Sequence, residues 1–338
     1  MKILVIKRDK IGDLLLSTPM LAHLRSSLPR AEVHLLANDY NAWVVAGNPD
    51  VDRLWTYRRV RQGSRISLAA GWQLLLQHFQ LRRERFDVAI VANGDESPRA
   101  IRRGLQAGAR RVIAYCGDAA RCRGLTDALP VPSGAHESDR LLGLLAPLGI
   151  SPPAQPPLPQ YRLPPQQDEF ARAWLRERRL APRGYVVLGL GARRPKKQPT
   201  TGQILRWSAR FKRELGLDTV FMWTPGASDN PLYPGDDDVA QPVLDAAAPQ
   251  IHPFRGPILP ALGLIWNARS SIFPDSGLMH FAAASPGGVL GLFAETDVSP
   301  HPAQWGPRGK RVDYLEAQKS VAELPDELVY ARFDALLA

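Results

Sequence analysis

Short apolar runs alternate with amphipathic segments along the whole chain, which predicts repeated β-α-β units. Four runs in the first half are rich in Val, Ile and Leu and predict buried parallel strands: Lys2–Lys7, Glu32–Asn38, Asp87–Asn93 and Arg111–Tyr115. The segments with helical periodicity between them are Leu14–Leu28, Leu68–Phe86, Pro98–Ala107 and Glu137–Leu148. Pro19 predicts a kink or a late start of regular helix in the first of these.

The same alternation restarts in the second half of the chain. Its predicted strands are Tyr185–Leu190, Thr219–Trp223, Ile251–Phe254, Ser271–Phe273 and Val289–Phe293. Its predicted helices are Thr201–Leu215, Ile258–Ala268, Gly277–Ala284 and a final helix over Val321–Ala338. Between the halves, Ser151–Pro165 is so rich in proline that it predicts a stiff connector.

The pattern therefore predicts an α/β protein with two doubly wound parallel sheets, each Rossmann-like. We expect a first domain over 1–150, a linker over 151–165, a second domain over 166–316 and a C-terminal segment over 317–338 that packs back on the first domain. Ligands of such sheets bind at the carboxyl ends of the strands, so a central cleft between the two domains is expected.

Composition and charge narrow the class of protein. The 338 residues are 45% hydrophobic, and no stretch reaches the ~18 apolar residues of a membrane span. Ile3–Ile6 is too short for a secretion signal, and Cys116 and Cys122 suggest neither a disulfide framework nor a zinc site, so a cytoplasmic location is expected. The net charge is +10, most of it in residues 1–160, which favours an anionic partner there. No sequence signature of a nucleic-acid-binding module is present.

The turn after the first predicted strand carries the first candidate residues. Gly12 would let the backbone approach a ligand closely, and Asp13 follows it at the start of a helix. Asp13 is either an ordinary helix cap or a general base at the cleft, and spacing alone favours the cap. The turn lacks the glycine fingerprint of nicotinamide-binding enzymes.

The second half carries a motif suited to phosphate. Asp275, Ser276, Gly277 and Leu278 end a strand and open a helix, whose backbone N–H groups would bind an anion without a metal. His280 lies one turn further on and is either a ligand-binding residue or a histidine packed against the sheet.

Two loops after strands are further candidates. Lys196 and Lys197 belong to a basic loop that suits a diphosphate, although a solvated loop is the alternative. Asp229 could bind ribose hydroxyls or lie in an ordinary turn. The acidic run Asp236–Asp238 is interpreted as a solvated charge run. No nucleophile elbow and no zinc-peptidase helix occur in the sequence.

Together, these segments resemble glycosyltransferase family 9, the ADP-heptose:lipopolysaccharide heptosyltransferases, which have the GT-B fold. The matching segments, in order along nearly the full chain, are KILVIKRDKIGDLLLSTPML at the start, HESDRLL from His136, the lysine loop after Gly191, DSGLMH from Asp275 and QWGP from Gln304. Each motif is weak alone, but the ordered set is specific.

The resemblance implies inverting, metal-independent transfer of heptose from ADP-heptose, with no cofactor. It makes Asp13 the general base and Lys197, or its neighbour Lys196, the cation on the leaving diphosphate. Ser276–Leu278 and His280 would bind the nucleotide-sugar together with Asp275. Asp229 stands where the family commonly has a longer Glu, so another donor remains an alternative.

On the acceptor side, the resemblance implies contacts by a set of mostly basic residues: Lys7, Gly12, Arg58, Arg59, His136 and Arg140. The expected partner is an anionic, lipid-linked saccharide of the lipopolysaccharide core, met at the cytoplasmic face of the inner membrane. The alternatives are a glycosyltransferase of the same fold with a different donor and a non-catalytic sugar-nucleotide binder.

Overall fold

The computed structural model describes residues 1–58, 61–62, 65–66, 68–118, 120, 122–191, 194–230, 234–298 and 301–338. The chain divides into two compact units, Met1–Arg162 and Leu163–Ala338. Each contains one six-stranded sheet in which all neighbouring strands are parallel. The predicted α/β class with two doubly wound parallel sheets is confirmed.

The first unit has its sheet in the order β3-β2-β1-β6-β7-β8. Its strands are β1 Lys2–Ile6, β2 Glu32–Asn38, β3 Arg53–Tyr57, the hairpin pair β4 Arg61–Gln62 and β5 Arg65–Ile66, β6 Val88–Val91, β7 Arg111–Tyr115 and β8 Asp127–Leu129. Its helices are α1 Ile11–Leu15, α2 Thr18–Ser27, α3 Leu68–Arg83, α4 Pro98–Gln106 and α5 Glu137–Gly143, with 3₁₀ turns at Ala42–Val45 and Ala146–Leu148.

The second unit repeats this topology in the order β11-β10-β9-β12-β13-β14. Its strands are β9 Tyr185–Gly189, β10 Asp218–Met222, β11 Ile251–Phe254, β12 Ser270–Pro274, β13 Val289–Ala294 and β14 Val312–Ala317. Its helices are α6 Pro165–Glu177, α7 Thr201–Leu215, α8 Asp237–Asp245, α9 Ile258–Asn267, α10 Gly277–Ala284, α11 Pro302–Trp305 and α12 Asp326–Leu337, with 3₁₀ turns at Pro195–Lys197 and Val321–Glu323.

The central strands of each sheet are buried, and this burial accounts for their apolar runs. Ile3 to Ile6 of β1 are fully buried, and Leu4 pairs with His34 on one side and Ala89 on the other. Helices cover both faces of such a sheet, so the side chains of inner strands are mostly apolar, with buried exceptions such as His34. The strand order reverses between β1 and β6 and between β9 and β12, and these two reversals mark the expected ligand edges.

Prolines set two boundaries. Pro19 is the second residue of α2, so the first predicted helix is divided into α1 and α2, in agreement with the expected late start. Residues 151–164 contain neither helix nor strand. The end of this segment belongs to the first unit, because the N–H of Gln160 donates to Thr18 Oγ1 at 2.9 Å.

The C-terminal helix, expected to pack back on the first domain, packs on the second unit. Val329 and Phe333 of α12 are buried in the core of the second unit. Arg210 of α7 also binds the carboxylate of Asp334, and the Trp207 indole donates to Asp326 at 2.7 Å. The apolar face of α12 therefore packs into the core of the second unit.

The two cysteines were expected to have no structural role, but Cys116 and Cys122 form a disulfide bond within the first unit. Their bond closes a short loop after β7, at the carboxyl edge of the first sheet. Within the described residues, no helix combines the length and the apolar character that crossing a membrane requires.

Candidate functional site

A buried lysine stands at the carboxyl end of β1, where the first sheet reverses its strand order. The Lys7 side chain is fully buried, and its Nζ lies 3.2 Å from Asp9 Oδ2 and 3.6 Å from Glu137 Oε1. Burial opposes the charged form of Lys7, but attraction to Asp9, Glu137 and Asp13 outweighs burial and raises the pKa of Lys7. Asp9 and Glu137 were not predicted as site residues, although Glu137 lies in the quoted HESDRLL segment.

Asp13 lies in the first turn of α1, directly after this strand end. Lys10 occupies the N-cap position, and α1 has no side-chain cap, so the interpretation of Asp13 as an ordinary cap is wrong. Burial raises the pKa of Asp13 above its ordinary value, while the charge of Lys7 acts in the opposite direction. A carboxylate with a raised pKa is a stronger proton acceptor once it is ionised.

Two amide side chains fix the turn that carries Asp13. The Asn93 side chain donates to the Asp9 carboxylate, and Asn41 Nδ2 donates to the Asp9 carbonyl oxygen at 2.7 Å. Gly12 is buried within α1, and its carbonyl oxygen accepts the N–H of Leu16 at 2.9 Å. The turn that leads into Asp13 is therefore held by residues from two other segments.

His136 and Arg140 stabilise the neighbouring loop after β6. His136 is the N-cap of α5, and its ring accepts a backbone N–H at 3.2 Å. Arg140 is buried, and its Nη1 donates to Asp95 Oδ1 at 2.7 Å. The N–H of Gly94 donates to Glu137 Oε1 at 3.1 Å, and a Cβ at Gly94 would clash with that carboxylate. Both predicted acceptor residues thus have internal partners in this structure.

The remaining acceptor candidates lie further out. Arg58 directly follows β3, its side chain is 71% exposed, and its Nε lies 3.4 Å from Asp39 Oδ2. Arg59 lies outside the described residues.

In the second unit, an ion pair links the ends of two neighbouring segments at the strand reversal. Lys197 Nζ lies 2.7 Å from Asp275 Oδ2, and the two side chains are 5% and 12% exposed. Lys197 ends the 3₁₀ turn after β9, and Asp275 directly follows β12. The lysine loop and the Asp-Ser-Gly motif, far apart in sequence, are therefore in direct contact.

The neighbouring lysine has a different environment. Lys196 is 64% exposed, and its Nζ lies 3.2 Å from Glu295 Oε1, which follows β13. Arg194 Nη1 lies 3.6 Å from the other oxygen of Glu295. The structure thus places Lys197, and not Lys196, beside Asp275.

Two buried polar atoms on the motif have no hydrogen-bond partner among the described residues: Ser276 Oγ and His280 Nδ1. Ser276 is the N-cap of α10 in an extended conformation, and it makes no side-chain cap. Burial lowers the pKa of His280 to about 4, so its ring is neutral at neutral pH even though Asp275 acts in the opposite direction. Buried polar atoms usually have a hydrogen-bond partner, so these two side chains are available to bond to a ligand that enters the site.

The backbone is open around these atoms. Gly191, two residues after the end of β9, lies against Ser276, and a Cβ at Gly191 would come within 2.9 Å of Ser276 Oγ. The N–H groups of Ser276–Leu278 belong to the first turn of α10, where helical partners are lacking. A negatively charged group would therefore meet a buried lysine, a neutral histidine and free backbone donors.

The loop that carries Asp229 is held by the acidic run. Asp229 is exposed. Asp237 accepts hydrogen bonds from Arg255, the Trp223 indole and the Gly226 N–H, and the hydrogen bond from Arg255 in particular lowers the pKa of Asp237. The interpretation of Asp236–Asp238 as a solvated charge run is wrong, because these residues begin α8 and fix the loop.

Among the described residues, one group of His and acidic side chains has ligand atoms close enough to hold a metal ion: Glu32, His34 and Glu84. Lys2 Nζ already lies 2.8 Å from Glu84 and 3.4 Å from Glu32, so its ammonium group neutralises these carboxylates. The group lies at the amino end of the first sheet, away from the strand ends described above.

Proteins similar to this chain include a curated heptosyltransferase and solved glycosyltransferase structures, while no family model matches. The chain is 24% identical over 298 residues to lipopolysaccharide heptosyltransferase 3 of Escherichia coli, covering 85% of this chain and 81% of that protein. A glycosyltransferase family 9 structure from Veillonella parvula matches with a TM-score of 0.84 at 18% identity, over 99% and 97% of the two chains. The E. coli ADP-heptose lipopolysaccharide heptosyltransferase II matches with a TM-score of 0.76 at 21% identity, over 100% and 98%.

These comparisons confirm the resemblance to glycosyltransferase family 9 that the sequence motifs indicate. The two structural matches span nearly the whole of both chains, so the chain has the GT-B fold.

Proposed function

We propose that this chain is an inverting heptosyltransferase that moves heptose from ADP-heptose to an anionic acceptor of the lipopolysaccharide core or a related surface glycan. The fold, the ordered motifs and the activities named for the similar proteins support a glycosyltransferase. The observation that carries the proposal is the buried Lys197–Asp275 pair beside the unpartnered atoms of Ser276 and His280. A site of this kind suits a diphosphate.

The donor's diphosphate binds in the second unit in this proposal. Lys197 Nζ donates to a phosphate oxygen while Asp275 holds the ammonium group in place. The N–H groups of Ser276–Leu278 and the neutral ring of His280 supply further donors that need no metal ion. As the bond to the anomeric carbon breaks, negative charge grows on the departing ADP, and these preset groups stabilise it.

The acceptor is activated in the first unit. Asp13 accepts the proton of the acceptor hydroxyl, and the resulting oxygen attacks the anomeric carbon from the face opposite to ADP, which inverts the configuration. The electron pair of the broken bond leaves with ADP. The raised pKa of Asp13 makes it a better base than an exposed aspartate.

The charge of the first unit supports an anionic acceptor. Most of the net charge of +10 lies in residues 1–160. Arg58 is exposed, and Arg59 follows it in sequence. Lys7, His136 and Arg140 are buried and have internal partners. In this proposal they act by stabilising the segments around the acceptor site.

A lipid-linked acceptor requires contact with a membrane, and α3 has a suitable surface. Trp72, Leu75, Leu76 and Phe79 are 64%, 46%, 47% and 55% exposed and lie on one face of this helix. Exposed Arg82 and Arg83 follow in its last turn. An apolar stripe flanked by cations fits an anionic bilayer surface. We therefore place the reaction at the cytoplasmic face of the inner membrane.

The test is transfer from ADP-heptose to deacylated lipopolysaccharide core oligosaccharide, followed by mass spectrometry of the acceptor. We expect one added heptose with the wild type and none with Asp13→Asn, whereas Asp50→Asn, at the amino edge of the same sheet, keeps activity. Faster transfer from another nucleotide sugar in a donor panel would establish a different donor. ADP binding without any turnover across the panel would establish a non-catalytic binder and refute the proposal.

A further inference from the structure

The first unit contains a pocket of about 250 Å³ between α3 and α4, which none of the predicted site residues lines. Arg99, Arg102, Arg103 and Gln106 recur at the spacing of one helical face of α4. The other polar lining residues are Arg8, which follows β1, and Gln77 and His78 of α3.

The floor of this α3–α4 pocket is apolar. Leu36, Leu81 and Ala107 line it, and each is at most 5% exposed. The opposite face of α4 is buried on the sheet through Ala100 and Ile101. The helix is thus fixed by its apolar side, and its arginines lie on the face that lines the pocket, where Arg99 and Arg102 are exposed to solvent.

Four arginines line the pocket, and two of them contact the same phenol ring. Arg8 Nε donates to Tyr57 Oη at 3.0 Å, and Arg103 Cζ lies 3.8 Å from the centre of the same ring. Tyr57 is 5% exposed. Burial lowers the pKa of Arg103, and the neighbouring charge of Arg8 acts in the same direction. A ring contact orients a guanidinium group but does not neutralise it.

No described carboxylate forms an ion pair with any of these four arginines. Elsewhere in the chain, arginines such as Arg111 and Arg210 bind aspartates directly. Four like charges around one pocket repel each other, and an anion that accepts hydrogen bonds from several of them would relieve this repulsion. Guanidinium groups match the geometry of phosphate oxygens, with two parallel hydrogen bonds to each group.

We propose that the α3–α4 pocket binds a phosphate ester and that this phosphate belongs to the acceptor. The assignment to the acceptor rests on the proposed function, whereas phosphate binding by the pocket does not. Arg8, which lines the pocket, lies in the turn that leads from β1 to α1, and Asp13 belongs to α1. The pocket therefore has one lining residue in the same strand-end turn that leads to Asp13. A phosphate bound here would position the acceptor saccharide for the base.

The first experiment uses inorganic phosphate as the probe. Calorimetric titration of the full chain is carried out at constant ionic strength with saturating ADP, which occupies the second unit. We expect phosphate to bind more tightly than chloride, and Arg99→Gln/Arg102→Gln to weaken binding about tenfold or more, since charge-assisted hydrogen bonds are lost. Both side chains are exposed, so the variant retains the core packing.

The matched control is Arg110→Gln, because Arg110 is 82% exposed, lies just after α4 and does not line the pocket. It should keep phosphate binding within about twofold. Equal weakening of phosphate binding by Arg110→Gln, or phosphate binding no tighter than that of chloride, would refute the proposal that the pocket binds phosphate. Neither result depends on transferase activity, so a failure here is distinct from a failure of the proposed function.

The second experiment identifies the source of the phosphate. Core oligosaccharide is compared before and after enzymatic dephosphorylation. We expect dephosphorylation to raise the acceptor KM of the wild type about tenfold and to leave the acceptor KM of Arg99→Gln/Arg102→Gln nearly unchanged. An equal rise in both proteins overturns the assignment to the acceptor. The assignment to the acceptor is also refuted if Arg99→Gln/Arg102→Gln, but not the wild type or Arg110→Gln, loses binding to phosphatidylglycerol vesicles. In that case the phosphate belongs to a lipid headgroup.

Discussion

Replacing Lys197 with Met removes the ammonium group that lies 2.7 Å from Asp275 Oδ2 and leaves a carboxylate that is 12% exposed without its cation. Breaking a buried ion pair by removing one partner costs about 3–5 kcal/mol. At roughly 2–4 °C per kcal/mol, Lys197→Met should lower the Tm of the second unit by roughly 6–20 °C. Differential scanning calorimetry measures this shift.

ADP binding should weaken in the same variant. A charge-assisted hydrogen bond contributes about 1.5–3 kcal/mol, so loss of the Lys197 contact raises the Kd for ADP by roughly 10- to 150-fold in calorimetric titration. Lys196→Met is the matched control, because Lys196 is adjacent in sequence but 64% exposed and paired with Glu295. We expect its Tm and its ADP affinity to remain close to those of the wild type.

A double variant separates stability from binding. Lys197→Met/Asp275→Leu replaces the whole buried pair by apolar side chains of similar size, which should restore most of the lost Tm. ADP binding should remain weak, since no cation is regained. The reasoning is refuted if Lys197→Met binds ADP within about twofold of the wild type, or if Lys196→Met has the larger effect on ADP affinity.

Three further predictions follow from the same structure. Asp13→Asn should lower kcat by about 10²–10⁴-fold without changing ADP affinity, and the acid limb of the wild-type pH–rate profile should lie above the pKa of an ordinary aspartate, because the base must be ionised. His280 takes up a proton near pH 4 when folded but near pH 6.5 when unfolded, so stability should fall by about 3 kcal/mol as the pH drops between these values. His280→Gln should remove that part of the pH dependence in thermal unfolding, and an unchanged slope would contradict the assignment. Trp72→Ser/Phe79→Ser should reduce co-sedimentation with anionic vesicles while Val131→Ser, which is 39% exposed outside α3, does not.

Local patterns predicted inner strands and amphipathic helices. The run Glu32–Asn38 and the helix Thr201–Leu215 were placed at their observed bounds, because apolar composition and helical periodicity are properties of the segment alone. The edge strands β3, β8 and β14 were missed, whereas the fourth edge strand, β11, was predicted at its observed bounds. The mixed polar and apolar side chains of the missed strands, as in Arg53–Tyr57, reflect exposure at the sheet edge, which a local pattern does not distinguish from a loop.

The residues of the candidate site were also predicted only in part. The sequence placed Asp13 and Asp275–His280 at strand ends and gave the order of motifs that defines the family resemblance. It could not choose between Lys196 and Lys197, since the choice depends on which side chain reaches Asp275, a residue far along the chain. The α4 arginines were overlooked because their spacing defines a helix face but not what that face meets.

The sequence by itself thus determined the α/β class, the doubling of the sheet and the positions of the turns at the strand ends, because burial requires apolar runs and tight turns require particular residues. Tertiary structure alone decided the partners of those turns: the pairing of Lys197 with Asp275, the packing of α12 on the second unit, the bond between Cys116 and Cys122, and the raised pKa of Asp13. Each depends on the distances between side chains or on their desolvation, and both quantities arise only when the chain has folded.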